Sequence, residues 1–261
     1  HMNDLRKVLL DAIRQAGDVL MSYYGKLEHI QTKTDEIDLV TEADHHSEKT
    51  IIGAIRQNFP EHRILAEESG MNASGSSDVR WVIDPLDGTT NFAHSFPAFC
   101  VSIGVEQADK MILGAVYNPY YKELFSAGRD EGAFLNERQI RVSQIKELNT
   151  SLLTTGFAYD RRERADYYLN FFKTFMMRCH GVRRVGAAAL DMCAVACGRI
   201  EGYWEENLKP WDTAAGWLIV EEAGGRVSDF TGGHFSIDKK QLLATNNFIH
   251  KEMTQIMSSL L

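Results

Sequence analysis

Hydrophobic side chains recur at helical spacing in the first sixty residues. Between residues 4 and 24 an apolar side chain returns every three or four positions, which is typical of an amphipathic helix. A second helix is predicted over residues 41–59, because Pro60 ends the pattern there. Residues 30–40 between the two helices are polar and few, which favours a hairpin or a mobile loop.

Short apolar runs separated by turn residues predict strands in the rest of the first half. Residues 80–84 are expected to form a buried strand that stops at Pro85. Residues 70–78 are rich in Gly, Ser and Asn and are expected to form a flexible loop. Further strands are predicted over residues 63–66, 99–107, 112–118, 124–128 and 132–135.

The second half alternates between strand and helix patterns, which indicates an α/β arrangement. We therefore divide the chain into an N-terminal α+β part, residues 3–146, and a C-terminal α/β part, residues 147–261, packed closely together. The predicted strands cover residues 151–156, 181–185, 200–204, 226–229 and 242–245, and the predicted helices cover residues 163–178, 187–198, 212–223 and 247–260.

Composition and charge exclude several classes of protein. The chain has 261 residues, of which 44% are hydrophobic, and this is ample material for a large core. The net charge is −8 and no polybasic arm is present, so direct nucleic-acid binding is not expected as its main activity. No apolar run reaches the roughly 20 residues that a membrane span needs. The excess of carboxylates is compatible with bound cations.

Four scattered cysteines complete the composition: Cys100, Cys179, Cys193 and Cys197. They do not have the spacing of a disulfide framework or a zinc site. Buried free thiols in a reducing compartment are the favoured interpretation, and we therefore expect a cytoplasmic protein.

The segment Asp84-Pro85-Leu86-Asp87-Gly88-Thr89 carries the strongest chemical signal. A buried strand brings Asp84 to its end, and Asp87, three residues on, is close enough to share a cation with it. The Leu86 carbonyl can face the same point, and such hard oxygen ligands suit Mg²⁺. Gly88 and Thr89 open a helical turn whose free N–H groups attract a phosphate. The alternative is an ordinary Asp/Gly turn, which a bare D-x-x-D-G pattern does not exclude.

Further acidic positions allow both a structural and a functional interpretation. Glu67 and Glu68 follow a predicted strand and alone would be solvated surface residues. Asp212 is placed to cap a helix and can also direct its second oxygen to a cation. Asp44, three residues after Thr41, resembles the partner in a capping box.

Taken together, these segments resemble the inositol monophosphatase family, in a bacterial-type form, in order and spacing over nearly the whole chain. Residues 84–89 alone would indicate only the wider lithium-sensitive, magnesium-dependent phosphatase superfamily. Residues 91–97 and 211–216 narrow the resemblance to the family. The matching segments are Lys33, residues 38–44, Glu67 to Ser69, residues 84–92 with His94 and Pro97, residues 186–189 and residues 211–216.

The resemblance implies a fold and an activity. The fold is α/β (α+β layered), a five-layered αβαβα sandwich of the inositol monophosphatase/fructose bisphosphatase type, usually in a homodimer. The activity is that of a hydrolase: a Mg²⁺-dependent phosphatase that converts inositol monophosphate to inositol and phosphate, using a water molecule activated by metal. Lithium sensitivity is also expected.

The same resemblance assigns residues to roles. One Mg²⁺ would be bound by Glu67, Asp84 and the Leu86 carbonyl, and a second by Asp84, Asp87 and Asp212. The catalytic residues would be Thr89 and Asp44, which match the pair that orients and deprotonates the attacking water, and Glu67, which can also help to hold a third metal ion. Phosphate would be bound by the N–H groups of Gly88 and Thr89, and the substrate's hydroxyls by Asp87, Ala188, Glu205 and Asp212.

Some positions depart from the family pattern. Ala187 stands where many relatives have Ser or Thr, which removes one hydroxyl contact. Asn207 stands where relatives often have Gly, and Asn tolerates the left-handed conformation that such a turn needs. Alignment favours Glu205 over Glu206 as the residue that faces the substrate.

The same residues are compatible with other functions. A broader sugar or nucleotide phosphatase, acting on fructose 1,6-bisphosphate, NADP or phosphoadenosine phosphate, usually carries the same run of residues. Arg183 and Arg184 could bind a second anionic group, although exposed surface arginines are the favoured interpretation. A transcription-associated binding role, through contact with a transcription factor, is the alternative from a different class.

Overall fold

The strands of the protein form two large sheets and one small hairpin in a computed structural model that describes residues 2–26, 30–33, 39–72 and 75–261. Within these residues the strands are β1 (Ile30–Thr32), β2 (Leu39–Thr41), β3 (Arg63–Ala66), β4 (Gly70–Asn72), β5 (Val79–Asp87), β6 (Cys100–Gln107), β7 (Lys110–Asn118), β8 (Glu123–Gly128), β9 (Gly132–Leu135), β10 (Arg138–Ile140), β11 (Leu152–Thr155), β12 (Gly181–Arg183), β13 (Gly202–Glu205), β14 (Arg226–Ser228) and β15 (Leu242–Thr245).

The helices pack on the faces of the two large sheets. The helices in the described part of the chain are α1 (Met2–Tyr23), α2 (Glu42–Asn58), α3 (Thr89–Ala93), α4 (Ala165–Met176), α5 (Ala188–Ala196), α6 (Pro210–Glu222) and α7 (His250–Ser258), with short 3₁₀ turns at Leu148–Thr150 and Tyr159–Arg162.

The first large sheet has the order β10-β9-β8-β7-β6-β5-β3-β4 within the described residues. Its strands are antiparallel except that β3 and β5 run parallel. One face packs against α1 and α2, through fully buried side chains such as Ile13, Ile51 and Trp81. The opposite face packs against α5 and α6, through Val116, Met192 and Leu218 among others. The segments on both faces of this sheet therefore hold β5 firmly in place.

The second large sheet has the order β12-β11-β13-β15-β14 within the described residues. Its first three strands are parallel, and β15 runs antiparallel to both β13 and β14. Helices α5 and α6 cover one face, and α4 and α7 cover the other, where Phe171, Phe175 and Met253 form a separate core. The layers are thus helices, sheet, helices, sheet, helices.

This arrangement confirms the predicted αβαβα sandwich and most of the predicted elements. The antiparallel pairing of β1 with β2 agrees with the hairpin alternative predicted for residues 30–40, of which residues 34–38 lie outside the described residues. The four cysteines are free, and Cys100 and Cys193 are buried. Among the described residues, no helix is both long enough and apolar enough to cross a membrane. The division at residues 146 and 147 stays a prediction.

Three short segments differ from the prediction. The segment expected as a loop over residues 70–78 contains β4, which pairs with β3, while residues 73–74 lie outside the described residues. Strand β10 was not predicted, because its three residues carry no alternating pattern. The expectation that the strand predicted over residues 80–84 stops at Pro85 is wrong: this strand is β5, which continues to Asp87.

Candidate active site

A bulge at the end of β5 forms the centre of the site. Asp84 pairs with Ser102 and Asp87 with Cys100, so the register shifts between the two aspartates. Proline has no N–H to donate to a ladder, and a bulge is one of the places in a sheet that tolerates it. The Leu86 N–H donates a hydrogen bond to Asp84 Oδ1 at 3.1 Å. The strand therefore continues past Pro85 to Asp87, and both aspartates are buried.

Asp212 reaches the same point from a distant part of the chain. One carboxylate oxygen from each of Asp84, Asp87 and Asp212 lies within 4.8 Å of the others, and no second such group of three is found among the described residues. Asp212 Oδ2 also accepts a hydrogen bond from the Lys209 N–H at 2.7 Å, at the start of α6. The cap and the cluster are therefore compatible roles for one side chain.

Burial and mutual repulsion disfavour the ionised form of these carboxyl groups. Burial, followed by the charges of Glu67, Asp87 and Asp212, raises the pKa of Asp84 well above its usual value. Burial and the same kind of neighbours also raise the pKa of Asp212 well above its usual value and that of Asp87 to about 7. Oxygen ligands gathered without a basic partner are the donor set that Mg²⁺ and Ca²⁺ prefer, so the residues fit a divalent cation.

Glu67 lies beside this group, and Lys33 neutralises it. Its carboxylate adds to the raised pKa of Asp84. Glu67 Oε1 accepts a hydrogen bond from Lys33 Nζ at 2.8 Å, and Glu68 Oε1 accepts one from the same Nζ at 2.6 Å. The structure therefore places Glu67 next to the cluster but in an ion pair, and Glu68 is not a purely solvated surface residue.

Thr89 and Asp44 form a hydrogen-bonded pair behind the bulge. Thr89 Oγ1 lies 3.0 Å from Asp44 Oδ1 and 3.1 Å from the Leu86 carbonyl oxygen. Because the hydroxyl has a single proton, it donates fully to only one of these acceptors at a time. Asp44 Oδ2 accepts from the N–H and the hydroxyl of Thr41, which confirms the predicted capping box. Burial raises the pKa of Asp44 to about 7, although the Thr41 hydrogen bonds oppose that shift.

Gly88 is required at the turn between β5 and α3. Its φ angle is 86°, in the left-handed region, and a Cβ atom there would lie 2.8 Å from the Ala98 carbonyl oxygen. A larger residue would be strained by its backbone and would also collide with that carbonyl. Thr89 begins α3 as the sequence predicts.

The C-terminal part contributes the facing wall. The Ala189 N–H, in the first turn of α5, donates to Asp87 Oδ2 at 2.7 Å. Glu205, at the end of β13, accepts a hydrogen bond from the Tyr203 hydroxyl. A side chain at position 156 would collide with the Glu205 carboxylate, so Gly156 makes room for it. Ala187 is buried and offers no polar group.

These elements enclose a cleft of about 560 Å³. Glu205 lines it, whereas Glu206 lies beside Arg164 at 3.5 Å. Asp44 does not line the cleft itself, but it is hydrogen-bonded to Thr89, which does. A larger groove of about 840 Å³ between α1 and α2 lacks a comparable carboxylate cluster within the described residues. The predicted site residues that line the cleft are Glu67, Asp84, Leu86, Asp87, Gly88, Thr89, Ala188, Glu205 and Asp212.

Two polar residues of α2 were missed by the sequence analysis. Ser47 Oγ donates to the Pro85 carbonyl oxygen at 2.7 Å, and Glu48 Oε2 accepts from the Glu68 N–H at 2.8 Å. Both side chains are buried on a helix face shared with Asp44, since residues three and four apart are neighbours. The available signal was the run of polar residues at positions 44, 47 and 48 on a helix whose other spaced positions are apolar.

A buried carboxylate cluster beside a glycine turn at a helix start, in an αβαβα sandwich, is suited to an enzyme that binds a cation and an anion side by side, and comparison with known proteins gives its family. Residues 1–260 match the sequence model of the inositol monophosphatase family, and the chain belongs to that family. It is an enzyme, a phosphatase that hydrolyses phosphate monoesters.

Three relatives illustrate the similarity. The chain is 47% identical over 256 residues to an inositol-1-monophosphatase of a Synechocystis species, an alignment that covers 97% of this chain and 88% of the relative. It is 42% identical over 253 residues to a Nus factor SuhB of Pasteurella multocida, covering 97% and 95%. A solved inositol monophosphatase structure from an Anabaena (Nostoc) species superposes with a TM-score of 0.90 at 42% identity, covering 99% and 96%.

Proposed function

We propose that this phosphatase hydrolyses inositol monophosphate to inositol and phosphate and that it depends on Mg²⁺. The observation that carries the proposal is the buried cluster of Asp84, Asp87 and Asp212, with oxygens within 4.8 Å, in the same cleft as Gly88 and Thr89. The Synechocystis relative, 47% identical, bears the name of that activity.

The proposed metal ligands follow from the donor set. Glu67, Asp84 and the Leu86 carbonyl would hold one Mg²⁺, and Asp84, Asp87 and Asp212 would hold a second. Bound there, the ions would lower the pKa of water and offset charge on the phosphoryl oxygens and the leaving oxygen. Lys33 now neutralises Glu67, so we expect metal binding to compete with that ion pair.

Thr89 and Asp44 are the proposed route for the proton of the attacking water. The Thr89 hydroxyl donates to Asp44 Oδ1 at 3.0 Å, so the Thr89 oxygen has a lone pair free to accept a proton from the cleft. Asp44 Oδ2 stays fixed by Thr41 while Oδ1 receives the Thr89 proton. Its pKa of about 7 is close to neutral pH, which suits a group that takes and returns a proton.

Phosphate and sugar contacts complete the proposal. The N–H groups of Gly88 and Thr89 lie at the turn that opens α3, and we propose that they bind phosphate oxygens. Glu205 and Ala188 line the opposite wall and would contact the inositol hydroxyls, together with the free oxygens of Asp87 and Asp212.

Phosphate release from a substrate panel tests this function. Purified protein is incubated with inositol 1-phosphate, fructose 1,6-bisphosphate, NADP and phosphoadenosine phosphate, with and without Mg²⁺. We expect phosphate to be released from inositol 1-phosphate when Mg²⁺ is present and not when it is absent. The turnover of Asp87→Asn should be lower by roughly 10²-fold or more, the scale of a lost transition-state charge contact. The matched control is Asp109→Asn, an exposed turn residue outside the cleft. Near-normal turnover by Asp87→Asn at saturating Mg²⁺ would contradict the assignment.

A transcription-associated binding role is the second candidate, because a relative that is 42% identical is named a Nus factor. Activity and binding can coexist in one chain. Consider a strain whose phenotype requires this protein. A binding role that does not need catalysis predicts that the folded but inactive variant Asp87→Asn still supports that phenotype. Loss of that phenotype in Asp87→Asn would indicate that the phosphatase activity is what the cell needs.

Three further expectations remain proposals. We propose inhibition by millimolar Li⁺, through the position formed by Asp84, Asp87 and Asp212, a homodimer in solution and a cytoplasmic location. Enzyme inhibition curves, light scattering and cell fractionation, respectively, test them.

A further inference from the structure

Two glycines lie side by side in the first large sheet, beneath the start of α6. Gly104 in β6 and Gly114 in β7 are direct cross-strand partners, and both are buried. Neither has a positive φ angle, so the backbone of these strands does not require glycine there. The reason for glycine at these two positions is therefore the space that a side chain would occupy.

That space is filled by the backbone and the small side chains of α6. A Cβ atom at Gly104 would lie 2.9 Å from the Ala214 Cβ and 3.0 Å from Met111 Sδ. A Cβ atom at Gly114 would lie 3.0 Å from the Ala215 carbonyl oxygen and 3.1 Å from its Cα. Non-bonded carbon atoms normally pack at about 3.5–4.0 Å. Only the glycine pair, Gly104 and Gly114, therefore lets α6 lie this close to the sheet.

Helix α6 is confined on a second side by α5. A Cβ atom at Gly216 would lie 2.6 Å from Met192 Cε, so the two helices are in close contact there. Met192 belongs to α5 and is fully buried. A push from the sheet could therefore not be absorbed by a sideways shift of α6 toward α5. The distance between α6 and the sheet is set by the glycine pair.

The glycine pair is close to the carboxylate cluster along both the helix and the sheet. Asp212 lies in the first turn of α6, two residues before Ala214, or about 3 Å along the helix axis. The β5 residue that pairs with Gly104 lies two positions before Asp84. A displacement of α6 at Ala214 would therefore be passed on to Asp212, while Asp84 stays with the sheet.

A magnesium site is sensitive to displacements of this size. Mg²⁺ requires near-octahedral oxygen ligands at about 2.0–2.1 Å, and the side chains of a metal site must be held to within about 0.5 Å. A methyl group added at Gly104 would have to be relieved by a movement of about 0.6 Å or more, from 2.9 Å to a normal carbon contact. The expected movement thus exceeds what the ligand geometry allows.

We propose that Gly104 and Gly114 are positioning residues of the metal site. By leaving the surface of the sheet bare, they let α6 lie close enough for Asp212 to share a divalent cation with Asp84 and Asp87. Neither glycine lines the cleft. This inference rests on the Mg²⁺ dependence of the proposed function.

Calorimetric titration of the metal-free protein with Mg²⁺ tests the glycine pair, together with melting temperatures measured without metal. We expect Gly104→Ala to weaken Mg²⁺ binding about 10–100-fold, the scale for groups that orient metal ligands. The double variant Gly104→Ala/Ala214→Gly removes the Cβ atom that would lie at 2.9 Å and should recover most of the affinity. A purely structural role of Gly104 would lower the melting temperature without changing the affinity.

Gly202→Ala is the matched control, because Gly202 is equally crowded in another part of the molecule. A Cβ atom there would lie 2.9 Å from Leu153 Cδ2 and 3.0 Å from Met253 Sδ, against β11 and α7 rather than α6. This variant should have a lower melting temperature and an unchanged affinity for Mg²⁺.

Gly114→Ala is the second variant and keeps the test decisive if Gly104→Ala does not fold. It is the less crowded of the two, and its affinity should also fall. Because its Cβ would collide with the backbone of Ala215, Ala215→Gly should not restore binding. Wild-type affinity in the folded alanine variants, or an equal loss in Gly202→Ala, would overturn the proposal. Failure of Ala214→Gly to restore binding in a folded Gly104→Ala background would also overturn it.

If the wild-type protein binds no Mg²⁺, the proposed metal dependence fails, and crystal structures of the variants decide the role of the glycine pair separately. An Asp212 carboxylate that lies about 0.6 Å or more further from Asp84 in Gly104→Ala, and returns in the double variant, would support the role. An unmoved Asp212 would overturn it.

Discussion

Asp229 and Asp87 are the same residue type in opposite electrostatic surroundings. Asp229, in the turn after β14, accepts hydrogen bonds from Thr231, the Gly233 N–H at 2.8 Å and Lys239 Nζ at 2.9 Å. Burial alone would raise its pKa, but the bonds from Lys239, Gly233 and Thr231 outweigh that effect and lower the pKa to about 2. The chain itself therefore supplies the hydrogen-bond donors and the positive charge that stabilise this ionised carboxylate.

Asp87 has fewer hydrogen-bond donors around it and no positively charged partner among the described residues. It accepts a hydrogen bond from the Ala189 N–H at 2.7 Å and a weak one from Cys100 Sγ at 3.7 Å. Burial, with Glu205 and Glu67 nearby, raises its pKa to about 7. Within the described residues, no basic side chain forms an ion pair with Asp84, Asp87 or Asp212. The comparison teaches that the missing positive charge at the cluster must come from outside the chain, as a proton or a metal ion.

The largest expected effect concerns Asp44, whose pKa of about 7 resembles that of Asp87. If Thr89 passes a proton to Asp44, Thr89→Ala and Asp44→Asn should each lower kcat by about 10²–10⁴-fold, the span for general acid–base catalysis. The double variant should lose little more than either single variant, because the two residues act as one unit.

Steady-state kinetics, Mg²⁺ titration and melting temperatures of these three variants distinguish the proposed proton relay, from Thr89 to Asp44, from a purely structural role of the two residues. Metal affinity should change little. A capping role alone would cost about 1 kcal/mol of stability and leave turnover intact, so full turnover with a lower melting temperature would contradict the relay.

The next largest effect is expected from Glu48, through which α2 holds the acidic segment Glu67–Glu68 in place. Glu48 Oε2 accepts the Glu68 N–H, so Glu48→Ala should release the Glu67–Glu68 segment and weaken Mg²⁺ binding about 10–100-fold, the usual scale for groups that orient metal ligands. Glu48→Gln keeps an acceptor oxygen and should restore most of the affinity. Calorimetric titration gives the result, and equal affinities in the alanine and glutamine variants would exclude this role.

The two surroundings also predict opposite pH dependences of stability. In the metal-free protein Asp87 has a folded pKa of about 7, above its unfolded value, so its contribution is present below about pH 4 and is lost as the pH rises through 7. Asp229 has a folded pKa of about 2, below its unfolded value, so its contribution is present above about pH 4 and is lost as the pH falls toward 2.

Urea unfolding between pH 4 and 8 in a chelating buffer measures the first dependence. The difference in stability between wild type and Asp87→Asn isolates the contribution of this carboxyl group, and it should shrink or reverse as the pH rises. A difference that stays constant across that range would mean that Asp87 is ionised throughout.

The smallest effect is expected at Asp229. Asp229→Asn weakens the bond to Lys239 and should cost about 1–2 kcal/mol, as for charge-assisted hydrogen bonds, with a fall of a few degrees in melting temperature. Turnover should be unaffected, because Asp229 lies outside the cleft. A loss of activity at unchanged stability would show that the two regions are not independent.

Local patterns predicted most elements, because apolar spacing and turn residues are local properties. Strands β3 and β15 begin and end where the sequence indicates. The Pro85 boundary was wrong because a bulge, fixed by pairing with β6, carries the strand past a residue that normally ends one.

The site was predicted less completely, because its geometry depends on distant contacts. The Ala189 N–H meets Asp87 across 102 positions of sequence, and no spacing rule predicts that contact. The resemblance implied a set of metal ligands, but it did not predict the buried contacts of Ser47 and Glu48.

The central claim is that the carboxylates of Asp84, Asp87 and Asp212 bind a divalent cation, which supplies the positive charge that the chain does not provide there. The most direct measurement is calorimetric titration of metal-free protein with Mg²⁺ at pH 7, in two buffers of different ionisation enthalpy. We predict binding accompanied by proton release, because a cation displaces protons from carboxyl groups whose pKa is raised, and loss of both in Asp87→Asn but not in Asp109→Asn. Absence of Mg²⁺ binding by the wild type, or equal binding by Asp87→Asn, would contradict the account.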